Sequence, residues 1–345
     1  MKQGLLILSI GFLLFSCQHV PSSSGDFLIE TTHPFNSSIR ALEVVNEKTV
    51  WFAGSKGHYG YTEDGGNHWT IDSIKADTLV PHFRAIAVTK EAVFLLSIGS
   101  PTLLYRSTNK GEQWELVYQE DHPKAFYDAM AFWNAKEGIA MGDPTDGCLS
   151  VITTEDGGLT WQKVHCDQLP PSEEGEAAFA ASNSNLALHG DHVWMVSGGK
   201  RARVFHSPDR GQTWKVHNTP ITEGGEMTGI FTVDFWNEQQ GIIFGGNWED
   251  KDLTVANKAR TTDGGSSWHL IADGQQPGYR SCVQYVPGGN GREVIAVGIP
   301  GISYSSDAGS HWRTLGKESY YTIRFASSKV AWIAGDKKIA RMARR

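Results

Sequence analysis

Short apolar segments that end in glycine recur along the chain and predict β-strands. Seven such segments occupy residues 50–54, 94–99, 138–142, 193–198, 241–245, 294–298 and 331–335. A repeat that runs from end to end predicts one closed array of similar units rather than two domains.

A polar turn signature follows six of the seven segments. It consists of Ser or Thr, Asp or Asn two residues later, Gly two residues after that, and Trp three residues further on. The copies are Thr62/Asp64/Gly66/Trp69, Ser107/Asn109/Gly111/Trp114, Thr154/Asp156/Gly158/Trp161, Ser207/Asp209/Gly211/Trp214, Thr261/Asp263/Gly265/Trp268 and Ser305/Asp307/Gly309/Trp312. Successive tryptophans are 45, 47, 53, 54 and 44 residues apart, which is the period of a four-stranded propeller blade.

The residue types explain why this signature predicts a turn. Asp or Asn accepts backbone N–H groups, the hydroxyl adds a local bond, and Gly adopts a positive φ. The Trp side chain has a large flat surface to bury between neighbouring sheets. We therefore assign these turns a structural role and no chemistry.

The seventh glycine-terminated segment lies near the C-terminus, and no turn signature follows it. Residues 27–32, near the other end of the chain, are rich in β-formers and belong to no other unit. If they supply the missing outer strand, the ring closes without exposed sheet edges. The sequence thus predicts an all-β, seven-bladed β-propeller with four-stranded antiparallel blades, the last of which is closed by the N-terminal strand.

Two cysteines stand at equal distances from the middle of the third turn signature. Residues placed symmetrically about a hairpin turn lie opposite one another, at a separation that a disulfide can span. We therefore predict a disulfide between Cys148 and Cys166 in an exported chain. The alternative is two reduced, buried cysteines. Cys282 has no evident partner.

The first residues have the layout of a secretory signal that ends in a lipoprotein cleavage box. Lys2 precedes an apolar run over residues 5–15, and Cys17 closes the box. The apolar run is too short to cross a bilayer as a mature helix. We expect an exported protein that a lipid on Cys17 anchors to a membrane of the bacterial cell envelope.

These features predict a simple domain layout and restrict the class of partner. Residues 1–16 are predicted to be the signal peptide, residues 17–26 the lipidated cysteine and a linker, and residues 27–345 a single propeller. The net charge of −7 and the sequence pI near 6.0 give no support for nucleic-acid binding. We expect a monomer.

The repeated turns resemble the Asp boxes of sialidases and other BNR-repeat propellers. Together with the Val-Trp-x-x-Gly strand type, they are most similar to the photosystem II stability/assembly factor family and its relatives in non-photosynthetic bacteria. This resemblance covers essentially the whole mature chain. It implies an assembly factor that binds membrane-protein intermediates and carries an arginine patch on one face. An exported lipoprotein without photosynthetic features implies a different client protein.

Four predicted inner strands begin with an arginine, and their blades become neighbours once the ring closes. These residues are Arg40, Arg84, Arg280 and Arg324. They predict an arc of guanidinium groups on the rim opposite the repeated turns, a suitable site for a carboxylate or another anion. At the matching position the third blade has Asp128, and the fifth has Phe231. The alternative is that each arginine pairs with a neighbouring blade and only holds the ring together.

The same rim is predicted to carry the longest connections, at residues 168–177, 219–228 and 247–258. Such loops often hold binding specificity. Two of them are acidic, and we include Glu176 and Glu226 in the candidate ligand-binding face. Both loops could instead be solvated turns.

A competing hypothesis is a glycosidase of the sialidase type. That mechanism needs three arginines, a Tyr with a Glu, and an acidic proton donor, for which the four arginines, Tyr279, Glu226 and Asp128 are the available groups. No arginine is followed by the Ile-Pro that marks the first sialidase arginine. An oxidoreductase label by loose similarity is a further alternative, although no cofactor cage, metal-ligand spacing or phosphate loop is recognisable. We expect no cofactor, no metal and no catalytic residue, and favour a protein-binding or assembly module.

Overall fold

A computed structural model of the chain describes residues 26–75 and 79–345. The predicted signal peptide, Cys17 and all of the predicted linker except Asp26 lie outside the described residues. Within the described part, no helix is long and apolar enough to cross a membrane.

The described chain consists of antiparallel strands and one short 3₁₀ helix, Cys166–Gln168. In its first half the strands are β1 (Phe27–Val44), β2 (Val50–Gly54), β3 (His58–Thr62), β4 (Thr70–Ser73), β5 (His82–Val88), β6 (Val93–Ile98), β7 (Thr102–Ser107), β8 (Glu115–Glu120), β9 (Tyr127–Phe132), β10 (Gly138–Thr145), β11 (Cys148–Thr154), β12 (Gln162–Lys163) and β13 (Glu176–Ala177). In its second half they are β14 (Leu186–His189), β15 (His192–Val196), β16 (Gly198–Gly199), β17 (Arg203–Ser207), β18 (Lys215–Asn218), β19 (Thr228–Phe235), β20 (Gly241–Asn247), β21 (Lys258–Thr261), β22 (His269–Leu270), β23 (Cys282–Tyr285), β24 (Val294–Gly298), β25 (Gly301–Ser305), β26 (Arg313–Gly316), β27 (Thr322–Phe325) and β28 (Val330–Arg344).

These strands form six sheets, so the prediction of seven blades is wrong. Counted as hydrogen-bonded sheets, the propeller has six blades. Four sheets have four strands each, namely β5 to β8, β9 to β12, β14-β15-β17-β18 and β23 to β26. The other two have six strands each, in the orders β27-β28-β1-β2-β3-β4 and β13-β16-β19-β20-β21-β22.

The difference between seven predicted blades and six observed sheets arises where the two ends of the chain meet. Strand β1 runs unbroken over 18 residues and pairs antiparallel with β28, from Phe27 opposite Arg344 to Ser38 opposite Asp336. It then continues directly into its ladder with β2. The strands expected to form a separate last blade therefore share one sheet with the first blade, and the N-terminal strand closes the ring.

The repeated turns have the hydrogen bonds that their residue types predict. In the first copy, the Thr62 hydroxyl donates to Asp64 Oδ1 at 2.9 Å and accepts the N–H of Gly66 at 2.9 Å. Asp64 Oδ1 also accepts the N–H of His68 at 2.9 Å, and Gly66 has a φ of +91°. The same bonds recur in the other five copies.

The tryptophans of these turns pack between neighbouring sheets. Trp114 lies edge to face with Tyr59 of the preceding sheet, with 5.0 Å between the ring centroids. Trp161 and Trp268 are buried. The turns are therefore part of the framework, and they all lie on the face where the inner strands end, which we call the turn face. The opposite face, where the inner strands begin, is the loop face.

The predicted disulfide between Cys148 and Cys166 is confirmed, with 5.5 Å between the Cα atoms. The two residues are not ladder partners, however. The β11–β12 ladder ends at the pair Ile152 and Lys163, and Cys166 lies in the 3₁₀ helix that follows. Cys282 is buried and forms no disulfide within the described residues.

Removing this disulfide is expected to destabilise the protein by about 3 kcal/mol, because the bond restricts the unfolded chain across a separation of 18 residues. We expect a double variant, Cys148→Ser with Cys166→Ser, to show this loss in urea denaturation. Dithiothreitol should lower the unfolding midpoint of the wild type but not that of the double variant. If the reductant had the same effect on both proteins, the stabilisation would not come from this bond.

Candidate functional site

The middle of the ring is crossed by residues 180–185, which we call the central segment and which connect β13 to β14. The Asn183 side chain donates to the carbonyl oxygen of Ile86 at 2.9 Å, and its Oδ1 accepts the N–H of Met130 at 2.9 Å. These bonds tie the central segment to the inner strands β5 and β9. The Asn183 side chain at the centre of the propeller thus satisfies backbone groups of the surrounding strands.

Two of the predicted arginines donate to this segment from the loop face. Arg40 Nη1 donates to the carbonyl oxygen of Ala181 at 3.2 Å, and Arg84 Nη1 donates to that of Ala180 at 2.7 Å. The Arg40 guanidinium also lies 4.0 Å from the ring centroid of Tyr321. Both side chains are half-buried and line the same cavity.

The other two arginines lie elsewhere. Arg280 is only 4% exposed, and its Nη2 donates to Ser303 Oγ at 2.8 Å. Arg324 donates to the carbonyl oxygens of Ser182 and Asn183, at 3.2 and 2.6 Å, and lines a different cavity. The structure therefore brings together two of the four arginines, whereas Arg280 is buried inside the ring and Arg324 lines the other cavity.

The shared cavity, which we call the arginine cavity, opens on the loop face and has a volume of about 370 Å³. Its polar lining comprises Arg40, Arg84, Asp143 and Glu226, and its aromatic lining comprises Phe126, Phe179, Phe231, Trp248 and Tyr279. Phe179 and Phe231 stack face to face with 3.9 Å between their ring centroids. The cavity therefore combines charged groups with a broad aromatic surface.

Arg84 has hydrogen-bonding capacity left for a ligand. Among the described residues, its only side-chain hydrogen bond is the one to Ala180, although a guanidinium carries five N–H donors. Burial and the charge of Arg40 lower the pKa of Arg84 to about 10, which leaves the guanidinium charged at neutral pH. A carboxylate is the complementary group for two adjacent, partly desolvated guanidinium groups.

Two carboxylates share the cavity with the arginines. Burial raises the pKa of Asp143 to about 6, although its Oδ1 accepts the N–H of Ala178 at 2.7 Å. Glu226 is exposed at the cavity edge and makes no ion pair with another described residue. Both acidic and basic side chains therefore line the cavity.

Asp128 lies fully buried, beyond the residues that line the cavity. Both carboxylate oxygens lack a hydrogen-bond partner in the described structure. Burial first, and then the charge of Asp143, raise the pKa of Asp128 well above its usual value, while the charge of Arg84 opposes this shift. The protonated form is thereby favoured, and Asp128 is not positioned to contact a ligand directly.

Glu176 is also buried and is used inside the fold. It forms a bidentate ion pair with Arg203, in which Arg203 Nε lies 2.9 Å from Oε1 and Nη2 contacts Oε2. The hydroxyl of Ser197 donates to Oε1 at 2.5 Å. With its oxygens occupied in this way, Glu176 positions the residues that follow it, including the cavity-lining run 177–181.

A second cavity, of about 390 Å³, lies at the ends of the inner strands on the turn face. Its charged lining is Glu43, Asp234 and Arg324, and aromatic residues including Trp236 and Tyr285 complete it. Burial raises the pKa of Glu43, and the charge of Arg324 opposes this. We call this the opposite cavity.

These positions bear on the glycosidase hypothesis. Its arginines are divided between two cavities and the interior, and the Tyr279 side chain is buried, which raises the pKa of its hydroxyl. Among the described residues, no group of three His, Cys, Asp or Glu side chains could hold a metal ion. The geometry therefore gives this hypothesis no specific support.

Sequence reasoning missed several residues of the arginine cavity. Phe126 precedes β9, Asp143 lies in β10 where its pairing register shifts, and Phe179 lies between β13 and β14; no periodic pattern marks these positions. Trp248 lies in the long connection that was singled out at residues 247–258, and an isolated aromatic residue in such a loop was the available signal.

The fold and the central segment define the class of protein. It is a closed β-propeller whose loop face carries a cavity lined by arginines. No family model matches the chain. The chain is 22% identical over 307 residues to the photosystem II assembly lipoprotein Ycf48 of Synechococcus sp. (strain CC9902), covering 79% of this chain and 87% of that protein.

Solved structures agree with this relationship. A structure described as YCF48 bound to D1 peptide matches with a TM-score of 0.66 at 16% identity, covering 93% of this chain and 97% of that chain. The predicted resemblance to the photosystem II assembly factor family is confirmed. A xyloglucanase of family GH74 from Xanthomonas campestris also matches, with a TM-score of 0.66 at 14% identity, covering 93% of this chain and 54% of that chain. At such identities these structural likenesses show the fold alone.

Proposed function

We propose that this chain is an exported, lipid-anchored propeller that binds a segment of a client protein at the arginine cavity. The client segment places a carboxylate on Arg84 and Arg40. The observation that carries the proposal is the Arg84 guanidinium, which lines a cavity on the loop face and engages one described acceptor.

Two further observations support this function. The aromatic lining gives a peptide an apolar surface, and cavities of this size commonly hold a few side chains. A similar propeller has been solved with a peptide of the D1 protein. We extend peptide binding, but not that client, to this chain, and we keep Cys17 as the proposed lipid attachment site in the cell envelope.

Panning a random dodecapeptide phage library on the purified chain tests the proposal. We expect enriched peptides to contain Asp or Glu, and Arg84→Ala to weaken binding of the synthetic peptide about 10-fold to 100-fold, because a charge-assisted hydrogen bond is lost. Replacing the acidic residue of the peptide with its amide should weaken binding to the wild type but add little to the loss in Arg84→Ala.

Arg292→Ala is the matched control, because Arg292 is an exposed arginine between β23 and β24 on the turn face. It should bind the peptide as the wild type does. The proposal fails if no peptide is enriched on the wild type, or if the enriched peptides show no acidic preference and bind Arg84→Ala equally well.

A further inference from the structure

A tryptophan on the loop face lies where it can contact a ligand side chain that neighbours the carboxylate bound by the arginines. Trp248 directly follows β20 and lines the arginine cavity beside Met227 and the Phe179–Phe231 stack. It is 38% exposed, although large aromatic side chains contribute most to binding when they are buried. A ligand that buries this exposed surface therefore gains binding free energy from it.

Hydrogen bonds join the backbone around Trp248 to the connection between β18 and β19. The N–H of Trp248 donates to the carbonyl oxygen of Met227 at 3.0 Å. Further along the same loop, the carbonyl oxygen of Ala256 accepts the N–H of Thr222 at 2.7 Å. The loop is thus fastened to the connection that leads into β19.

The loop is also held from the other side. The carbonyl oxygen of Lys251 accepts the N–H of Tyr279 at 2.9 Å. The buried amine of Lys258 donates to Asn257 Oδ1 and to the carbonyl oxygen of Gln275, each at 2.8 Å. A loop held to its neighbours by this many hydrogen bonds loses little conformational entropy when a ligand binds, which favours affinity.

The charge next to the ring also suits a peptide with a carboxylate. Lys251 Nζ lies 4.3 Å from the centroid of the Trp248 ring, so a cation covers one face of it. Arg40 and Arg84 line the same cavity. Trp248 and the two arginines therefore line one cavity of about 370 Å³, and a ligand that contacts both within it needs an apolar group close to its carboxylate.

We propose that Trp248 is a specificity-determining residue, and that the cavity selects a peptide in which a large apolar or aromatic side chain stands within a few residues of an acidic one. The acidic side chain binds Arg84 and Arg40, and the apolar one packs on Trp248 and the Phe179–Phe231 stack. This inference rests on the proposed function and adds the class of peptide that the site takes.

The dodecapeptide selection tests separately the binding of the acidic side chain and the packing of the apolar side chain on Trp248. On the wild type, enriched peptides should carry Trp, Phe, Leu or Met within about three positions of Asp or Glu. On Trp248→Ala the acidic preference should remain and the apolar one should disappear. Trp248→Ala should weaken binding of the selected synthetic peptide about 10-fold, a typical cost for truncating a central aromatic contact, and Trp248→Phe should restore most of it.

A double-mutant cycle, with one substitution in the protein and one in the peptide, distinguishes a direct contact from a general effect on the structure. Changing the apolar peptide residue to alanine should weaken binding to the wild type but have little further effect in Trp248→Ala. Trp236→Ala is the matched control, because Trp236 lines the opposite cavity. It should leave the affinity unchanged, and near-UV circular dichroism shows whether each variant keeps its packing.

The outcomes are distinguishable. If the selected peptides are acidic but lack an apolar preference, or if Trp248→Ala binds them as the wild type does, the inference on Trp248 is overturned and the proposed function stands. If no peptide is enriched on the wild type, the proposed function fails and the inference fails with it.

Discussion

Replacing Glu176 with alanine is expected to lower the free energy of unfolding by about 3 kcal/mol, because it leaves the buried Arg203 guanidinium with only the more distant carboxylate of Glu173, 3.8 Å from Arg203 Nη1. The Glu176 side chain is 0% exposed and that of Arg203 is 7% exposed, so water cannot replace the lost partner. The pair joins β13 to β17, which belong to different sheets. Urea denaturation at neutral pH, followed by circular dichroism, measures the loss.

Two controls separate a buried charge from a general packing defect. The adjacent pair of Arg201 and Glu223 is partly exposed, with 2.9 Å between Arg201 Nη1 and Glu223 Oε1. Glu223→Ala should therefore cost no more than about 1 kcal/mol. A double variant, Glu176→Leu with Arg203→Met, should recover much of the stability that the single variant loses. If Glu176→Ala were no more harmful than Glu223→Ala, the ion pair would not hold the sheets together.

The sequence predicted best what is decided locally. The hydroxyl, the Asp or Asn side chain and the glycine of each turn interact with one another within about five residues, and the strand Val50–Gly54 has the predicted bounds. Turn chemistry of this kind needs no information from the rest of the fold. The disulfide followed from the same local symmetry, although its two residues lie beyond the end of the ladder.

The number of sheets depends on hydrogen bonds between opposite ends of the chain. A repeat predicts strand and turn units, but it does not show that β1 continues from its partner β28 into its partner β2 without interruption. That continuity joins two expected blades into one six-stranded sheet. The six-stranded sheet that begins with β13 has a different cause, since two short strands of two residues each, β13 and β16, extend the four strands β19 to β22.

The candidate site could be predicted only in part, since the central segment binds three of the four predicted arginines. Arg40, Arg84 and Arg324 all donate to carbonyl oxygens of residues 180–183, and this Ala- and Ser-rich run has no sequence pattern that marks it as a plug. Glu176 was assigned to an acidic binding face, but Arg203 follows 27 residues later and binds it inside the fold. In both cases a partner distant in sequence determines the role.

The opposite cavity is expected to make the protein less stable as the pH rises from about 4 to about 7. Burial raises the pKa of Asp234 to about 7, although N–H donation from Tyr285 at 2.6 Å and the charge of Arg324 oppose it. In the unfolded chain the same carboxyl titrates near 3.8. The folded state therefore holds this proton more tightly, so its contribution to stability is full below about pH 4 and is lost as the pH rises through 7.

Asp234→Asn removes this titration and keeps an oxygen that can accept the Tyr285 N–H. Because each pKa unit corresponds to about 1.4 kcal/mol, the variant should be more stable than the wild type by roughly 4 kcal/mol at pH 8 and nearly equal to it below pH 4. Urea denaturation of both proteins at pH 4, 6 and 8 measures the difference. Comparing the two proteins at each pH cancels the contribution of Asp143, which titrates in both and lies in the arginine cavity.

Asp263→Asn supplies a control of opposite sign. Although burial acts against it, hydrogen bonds from the hydroxyl and the N–H of Ser267 lower the pKa of Asp263 to about 2. This carboxylate therefore stabilises the fold above about pH 4 and loses that effect as the pH falls toward 2. Asp263→Asn, in the turn, should thus be less stable than the wild type at pH 8. Asp234→Asn, in the opposite cavity, should be more stable than the wild type at that pH. If both variants shifted stability in the same direction at pH 8, a general loss of charge, rather than the burial of Asp234, would explain the result.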